Sequence, residues 1–214
     1  MPPIISIVGK SESGKTTLLE KLIVELNRRG YHIATIKHTH STIAYPYADK
    51  DSDKHLKAGS EAAVVSAPDR LLMVKPLKEE LNLEQVARII GEDYDIILAE
   101  GFKQSDAPKI EVHRRENSAL LKDIKKIFAI VTDEPLDTKI RQFSPDDSQG
   151  IADLIEEGFI KPQKERLTLL INDEPISLNA FTKDFMANVF LGMANSLKGV
   201  GKIRTMKIFL KKED

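Results

Sequence analysis

The chain has 214 residues, 41% of them hydrophobic and 30% charged, with 32 Lys and Arg against 33 Asp and Glu and no cysteine. That length buries a core for one α/β domain with an appendage, and the balanced charge supplies no field to draw nucleic acid or a membrane surface. The missing cysteines exclude disulfides, thiolate nucleophiles and cysteine metal sites, as suits a reducing cytoplasm. Met1-Pro2-Pro3 carries no basic leader, and no run approaches the ~20 apolar residues of a membrane span. A soluble, untargeted cytoplasmic protein is therefore expected.

The first apolar run, Ile4, Ile5, Ile7 and Val8, leads into Gly9-Lys10-Ser11-Glu12-Ser13-Gly14-Lys15-Thr16. This is a complete phosphate-binding loop pattern, placed where a first strand ends and a helix begins. Its glycines let backbone N–H groups curl around phosphate oxygens, Lys15 brings a point charge to the terminal phosphates, and the Thr16 hydroxyl suits Mg2+. Gly9, Ser11, Ser13, Gly14, Lys15, Thr16 and Thr17 form the expected nucleotide-binding set, backed by a helix N-terminus whose dipole favours an anion.

Leu18, Leu19, Leu22, Ile23 and Leu26 then recur at helical spacing, and Arg28, Arg29 and Gly30 make a basic last turn and a stop. A β-like run at 32–38 completes one βαβ unit. Residues 39–57 are polar and charged, carry Pro46 and predict a long functional loop. Two short strands at 62–66 and 71–74 are expected around a turn at Pro68-Asp69, then a helix over 83–90. The near-continuous apolar run 95–99 reads as a strand buried on both faces. Strands at 109–112 and 127–131 and a helix over 150–157 follow. This alternation predicts an α/β fold of the P-loop NTPase type, a mostly parallel, doubly wound sheet with helices on both faces.

Residues 1–160 are expected to form the nucleotide-binding domain and the charged, proline-bearing stretch 161–166 a linker. Residues 167–214 then make a small α+β appendage: a strand at 167–171, a turn at 172–175, a long helix and a strand at 203–210. Phe181, Phe185, Val189, Met193 and Leu197 fall four residues apart, one continuous apolar face that reads as core or dimer contact. Asn179 is placed to cap this helix and Gly199 to end it. The lysines of the tail fit an exposed sheet edge better than a phosphodiester site.

A phosphate loop needs a carboxylate to hold or orient hydrated Mg2+. Ligands of open parallel sheets lie outside the carboxyl ends of the strands, so Glu100, which ends its strand ahead of Gly101, is the choice. Asp95 starts that strand, about 16 Å away at ~3.3 Å per residue, and reads as structural. Asp49 and Asp51 are spaced to bracket a metal-bound water, with a solvated charge run as the alternative. His38 and His40 share a strand face, which permits either a hydrogen bond to phosphate or substrate, or a metal; Lys37 and Lys103 add positive charge. Asp133, after the strand 127–131, is the best-placed carboxylate to read a guanine edge, although aspartate there is also ordinary turn chemistry.

Residues 9–17, Ile36-Lys37-His38-Thr39-His40, Lys50-Asp51-Ser52 with Ala58-Gly59, and Leu98-Ala99-Glu100-Gly101-Phe102-Lys103 with Pro108-Lys109-Ile110-Glu111 together resemble the molybdopterin-guanine dinucleotide biosynthesis protein B family. The likeness spans residues 4 to about 155. It implies a GTP-binding protein of weak GTPase activity, often a homodimer, that assists the molybdopterin guanylyltransferase in attaching GMP and serves molybdoenzyme maturation. On that reading Thr16 and Glu100 organise Mg2+, Asp49 or Asp51 responds to the γ-phosphate, and His38 belongs to the nucleotide site. Two other readings are a small-molecule kinase on the same fold, with His38 or Asp51 as base, and a metallochaperone in which nucleotide gates metal release through His38 and His40. The segment 167–214 lies outside the family's minimal domain.

Overall fold

The computed structural model describes residues 1–39, 41, 50–117, 120–162, 167, 169–172, 174–203, 206–208 and 210. His40 and Asp49 lie outside the described residues, as does most of the expected linker. The chain divides into two compact units, Pro2–Gln163 and Lys164–Asp214, the second together with Met1.

In the first unit, β1 (Ile4–Gly9), α1 (Lys15–Arg28) and β2 (Ile33–Lys37) are followed by α2 (Lys50–Lys57), the hairpin β3 (Ala63–Ser66) and β4 (Leu71–Val74), α3 (Leu83–Ile90) and β5 (Ile96–Glu100). Then come β6 (Lys109–Val112), β7 (Ile127–Val131), β8 (Arg141–Phe143) and α4 (Ser148–Ile155), which runs on into a wider turn over Glu156–Ile160. Strands β2-β5-β1-β6-β7-β8 form a six-stranded sheet, parallel throughout.

Strand side chains alternate between faces, and the buried residues follow that rule. Ile5, Ile7, Ile96, Leu98, Ile110, Val112, Ala129 and Val131 form one core with Leu18, Leu22 and Leu26 of α1 and Ile151, Ala152 and Ile155 of α4. The opposite parity includes Val8, Ile97, Ala99 and Ile130, also buried. On α3, which lies against β2, Leu83 and Ala87 are buried. Asn82 starts α3 with a reciprocal capping box, its side chain accepting from Gln85 N while Gln85 reaches back to Asn82 N. Asp95 and His32 exchange bonds at the start of β5 and β2: His32 N donates to Asp95 Oδ2 and Asp95 N to His32 O, each at 2.8 Å. Asp95 thus has the structural position expected of it.

Three details of the first unit depart from expectation. Residues 50–57 are helical rather than loop. Leu56 is the one apolar residue in α2, so no hydrophobic period announces it; Asp51 and Asp53 in its first turn and Lys54, His55 and Lys57 in its last complement the helix dipole instead. Strand β8 is three residues long and too short to show a period. Helix α4 starts two residues earlier than expected because Asp147 caps it, accepting from Gly150 N at 2.9 Å.

In the second unit, β9 (Leu169–Ile171) pairs antiparallel with β10 (Glu174–Ile176), and α5 (Ala180–Asn195) follows. A turn was expected over 172–175. Asn172 adopts φ 51, a left-handed conformation asparagine tolerates, so the chain reverses at once and Glu174 already pairs with Ile171. Asn179 caps α5, accepting from Thr182 N at 2.8 Å, but the helix closes at Ser196, ahead of Gly199. The described residues of 203–210 form no strand. The expected apolar face of α5 is not buried within its own unit: Phe181 is 78% exposed, and Phe185, Val189, Met193 and Leu197 are exposed with it.

Candidate nucleotide site

The loop between β1 and α1 sits at the carboxyl edge of the sheet. Strand β1 has β5 on one side and β6 on the other, so the chain crosses β1 between β5 and β6. Such a crossing opens the crevice in which doubly wound sheets hold ligands.

The loop is built around absent side chains. A Cβ on Gly9 would stand 2.5 Å from Val112 O and 2.6 Å from Ser13 Oγ, and Gly14 takes φ 91. Ser13 is fully buried and its hydroxyl finds no hydrogen-bond partner among the described residues. Ser11, Thr16 and Thr17 are exposed on the loop and the first helical turn. Lys15 Nζ donates to Lys10 O at 2.5 Å, so the ammonium spans its own loop. Burial lowers the Lys15 pKa; Glu100 works against that, and Lys103 and Lys37 add to it.

Thr16 Oγ1 donates to Glu100 Oε2 at 3.0 Å. These two residues are 84 positions apart, and the parallel register of β1 and β5, Ile7 opposite Glu100, brings them together. Lys37 Nζ lies 3.6 Å from Glu100 Oε1, placed by the pairing of Lys37 with Glu100 across β2 and β5. A hydroxyl and a carboxylate oxygen are hard donors of the kind Mg2+ takes, with water and phosphate supplying the rest of its octahedron. Among the described residues no three His, Asp or Glu side chains gather to hold a metal by themselves.

His38 follows β2. Its N donates to Glu100 O at 2.9 Å, its ring lies 4.6 Å from that of Phe102, and its Nε2 is 2.5 Å from Glu80 Oε1. Gly101 keeps this approach open: it takes φ 99, and a Cβ there would meet His38 Cβ at 3.0 Å. Asp51 stands on the first turn of α2, paired with Lys54 at 2.7 Å.

Asp133 lies at the same carboxyl edge, after β7. Its Oδ1 accepts from Arg115 N at 2.9 Å. That bond is the main cause of a pKa held below the ordinary carboxylate value, so Asp133 is ionised at neutral pH. With Thr132, Glu134, Pro135, Gln142, Phe143 and Ser144 it lines an open cleft of about 330 Å³. Arg114 escaped the sequence reading. Its Nε donates to Ser13 O at 3.2 Å and its Nη1 lies 3.5 Å from Asp133 Oδ2. The available signal was positional: two residues past β6, it lies at the carboxyl edge of the strand beside β1.

Comparison with known proteins gives this geometry its relatives. The model of the family described as molybdopterin guanine dinucleotide synthesis protein B matches residues 4–133. The molybdopterin-guanine dinucleotide biosynthesis adapter protein of Haemophilus influenzae is 35% identical over 156 residues, 72% of this chain and 88% of that protein. Its namesake in Escherichia coli is 36% identical over 170 residues, 75% and 95% respectively. A crystal structure of molybdopterin-guanine biosynthesis protein B is 30% identical with a TM-score of 0.58, covering 72% of this chain and 97% of that one. A MobB homolog from Bacillus stearothermophilus is 25% identical with a TM-score of 0.58, covering 75% and 99%. No helix among the described residues is long and apolar enough to cross a membrane. The mostly parallel, helix-flanked sheet with its phosphate loop is the fold of these proteins, and the chain belongs to the molybdopterin guanine dinucleotide synthesis protein B family.

Proposed function

We propose that this chain binds GTP with Mg2+ and acts as an adapter in the biosynthesis of the molybdopterin guanine dinucleotide form of the molybdenum cofactor. The observation that carries the nucleotide reading is the Thr16–Glu100 hydrogen bond of 3.0 Å beside Lys15. It joins the loop's hydroxyl to a carboxylate on the neighbouring strand, the pair of oxygens that a phosphate-bound cation requires. The family name carries the pathway.

On this reading the loop N–H groups from Gly9 to Thr17 cradle the phosphates, and Lys15 exchanges Lys10 O for phosphate oxygen. Thr16 and Glu100 hold and orient the hydrated cation, which when bound neutralises charge on the phosphates. His38, backed by Phe102 and reached through Glu80, borders the terminal phosphate, and Asp49 or Asp51 responds to it. Asp133 accepts from the guanine edge, in a cleft large enough for a base. Hydrolysis is slow and resets the bound state. The partners are the guanylyltransferase acting on molybdopterin and the molybdoenzymes being matured, the working unit is a homodimer, and the compartment is the cytoplasm.

Lys15→Ala is expected to weaken Mg·GTP binding about 100-fold, the loss of charge-assisted bonds to phosphate, with the thermal transition of the protein kept. Calorimetric titration measures both, and parent-like affinity in the variant overturns the assignment. Competition between GTP and ATP, with and without the transferase and molybdopterin, tests base choice and pathway together.

A further inference from the structure

Three consecutive residues after β6 reach across to the segment after β7. His113, buried, places Nε2 3.0 Å from Glu134 Oε1. Arg115 donates through its backbone N to Asp133 Oδ1 at 2.9 Å and through Nε to Glu134 Oε2 at 3.2 Å. The two segments are thus clamped on both sides of Arg114. Arg114 itself turns the other way, to the phosphate loop: Nε donates to Ser13 O at 3.2 Å, and Nη2 lies 3.1 Å from where a Cβ on Gly14 would stand. Its Nη1 stays 3.5 Å from Asp133 Oδ2. One guanidinium therefore touches both the loop that would cradle phosphate and the carboxylate that would read a purine.

Its present partners are weak ones. A neutral carbonyl and a carboxylate oxygen at 3.5 Å offer a guanidinium less than the paired oxygens of a phosphate, which match its planar fork. The side chain is 31% exposed, and none of the bonds that join the two segments on either side of it involves its guanidinium. Asp133 Oδ1 accepts from Arg115 N, a bond separate from the Oδ2 that faces Arg114.

We propose that Arg114 is a positioning and specificity-determining residue that couples the two ends of the nucleotide: phosphate arriving on the loop takes Arg114 from Ser13 O and Asp133, and so releases Asp133 Oδ2 to accept from the base. This rests on the nucleotide reading above. Magnesium tripolyphosphate, a ligand with no base, tests it on the full chain. Arg114→Ala is expected to bind this probe about tenfold more weakly than the parent, the loss of one charge-assisted contact, and Arg114→Lys to recover part of the loss. Asp133→Asn, which loosens the empty-state anchor of Arg114, is expected to bind tripolyphosphate a few-fold more tightly and GTP more weakly. In the Arg114→Ala background the effect of Asp133→Asn on tripolyphosphate should vanish, the coupling that a double-mutant cycle isolates. Parent-like tripolyphosphate affinity in Arg114→Ala, or an undiminished Asp133→Asn effect in that background, overturns the proposal. Lys15→Ala separates the failures: if it too binds the probe like the parent, the loop is not the phosphate site at all.

Discussion

The two units of this chain handle apolar surface in opposite ways. In Pro2–Gln163 the central strands and the inner face of α1 are sealed: Ile5, Ile7, Leu22, Leu26, Ile96 and Leu98 are all 0% exposed. In Lys164–Asp214 no described residue is buried, although α5 is rich in Phe, Met, Leu and Val. The difference lies in layering. A sheet with helices on each face closes two cores, whereas a hairpin of three-residue strands and one helix make no closed layer between them, and a segment of that size draws little stability from a core of its own. Apolar spacing in a sequence marks what requires cover; it does not say that the cover is in the same chain.

Substitutions on either side of this contrast should behave differently. The largest effect is expected from Leu22→Ala, which empties a fully buried position on α1: about 3 kcal/mol of stability, seen as a fall in the melting temperature of about 10 °C. A smaller, pH-dependent effect belongs to the seam between α1 and the C-terminal end of the first unit. Hydrogen bonds from Arg28 and Arg29 hold the Glu25 carboxyl down to about 2, and bonds from Arg29 and Lys161 do the same for Glu156. Both pKa values are depressed, so the stability they confer is complete above the ordinary value of 4.5 and is lost as pH falls from there towards about 2. Melting curves across that window should show this loss, and Glu25→Gln should flatten it; an unchanged slope would remove the seam from the account. The smallest effect is expected from Phe185→Ala on the exposed face of α5, within about 0.5 kcal/mol. A cost rivalling that of Leu22→Ala would mean that the face is covered in solution and would dissolve the contrast between the units.

The same contrast governs what could be read from sequence. The loop from Gly9 to Thr16 is legible as a strand-to-helix turn because such a turn constrains residue type at each position, and the approach of Glu100 to Thr16 because a strand of known direction has one end at that loop. Helix α2 was not legible, since its order comes from charges at its ends rather than from a hydrophobic period. Strand β10 hid behind a turn that Asn172 makes tighter than proline and acidic residues nearby suggested. Arg114 was invisible for another reason: its partner Ser13 is about a hundred residues away, and which strand end lies beside the loop is a property of strand order. The order β5-β1-β6 is the information the sequence holds only collectively.

That order also sets a schedule. Strand β1 emerges from the ribosome ahead of both its neighbours, which follow at Ile96–Glu100 and Lys109–Val112, about a hundred residues later. Parallel pairings of such separation form slowly because a long loop must close before any bond repays it. The strand that carries the phosphate loop therefore waits, apolar and unpaired, while about a hundred further residues are made. Until then its apolar side chains and open backbone edges are exposed to non-native pairing.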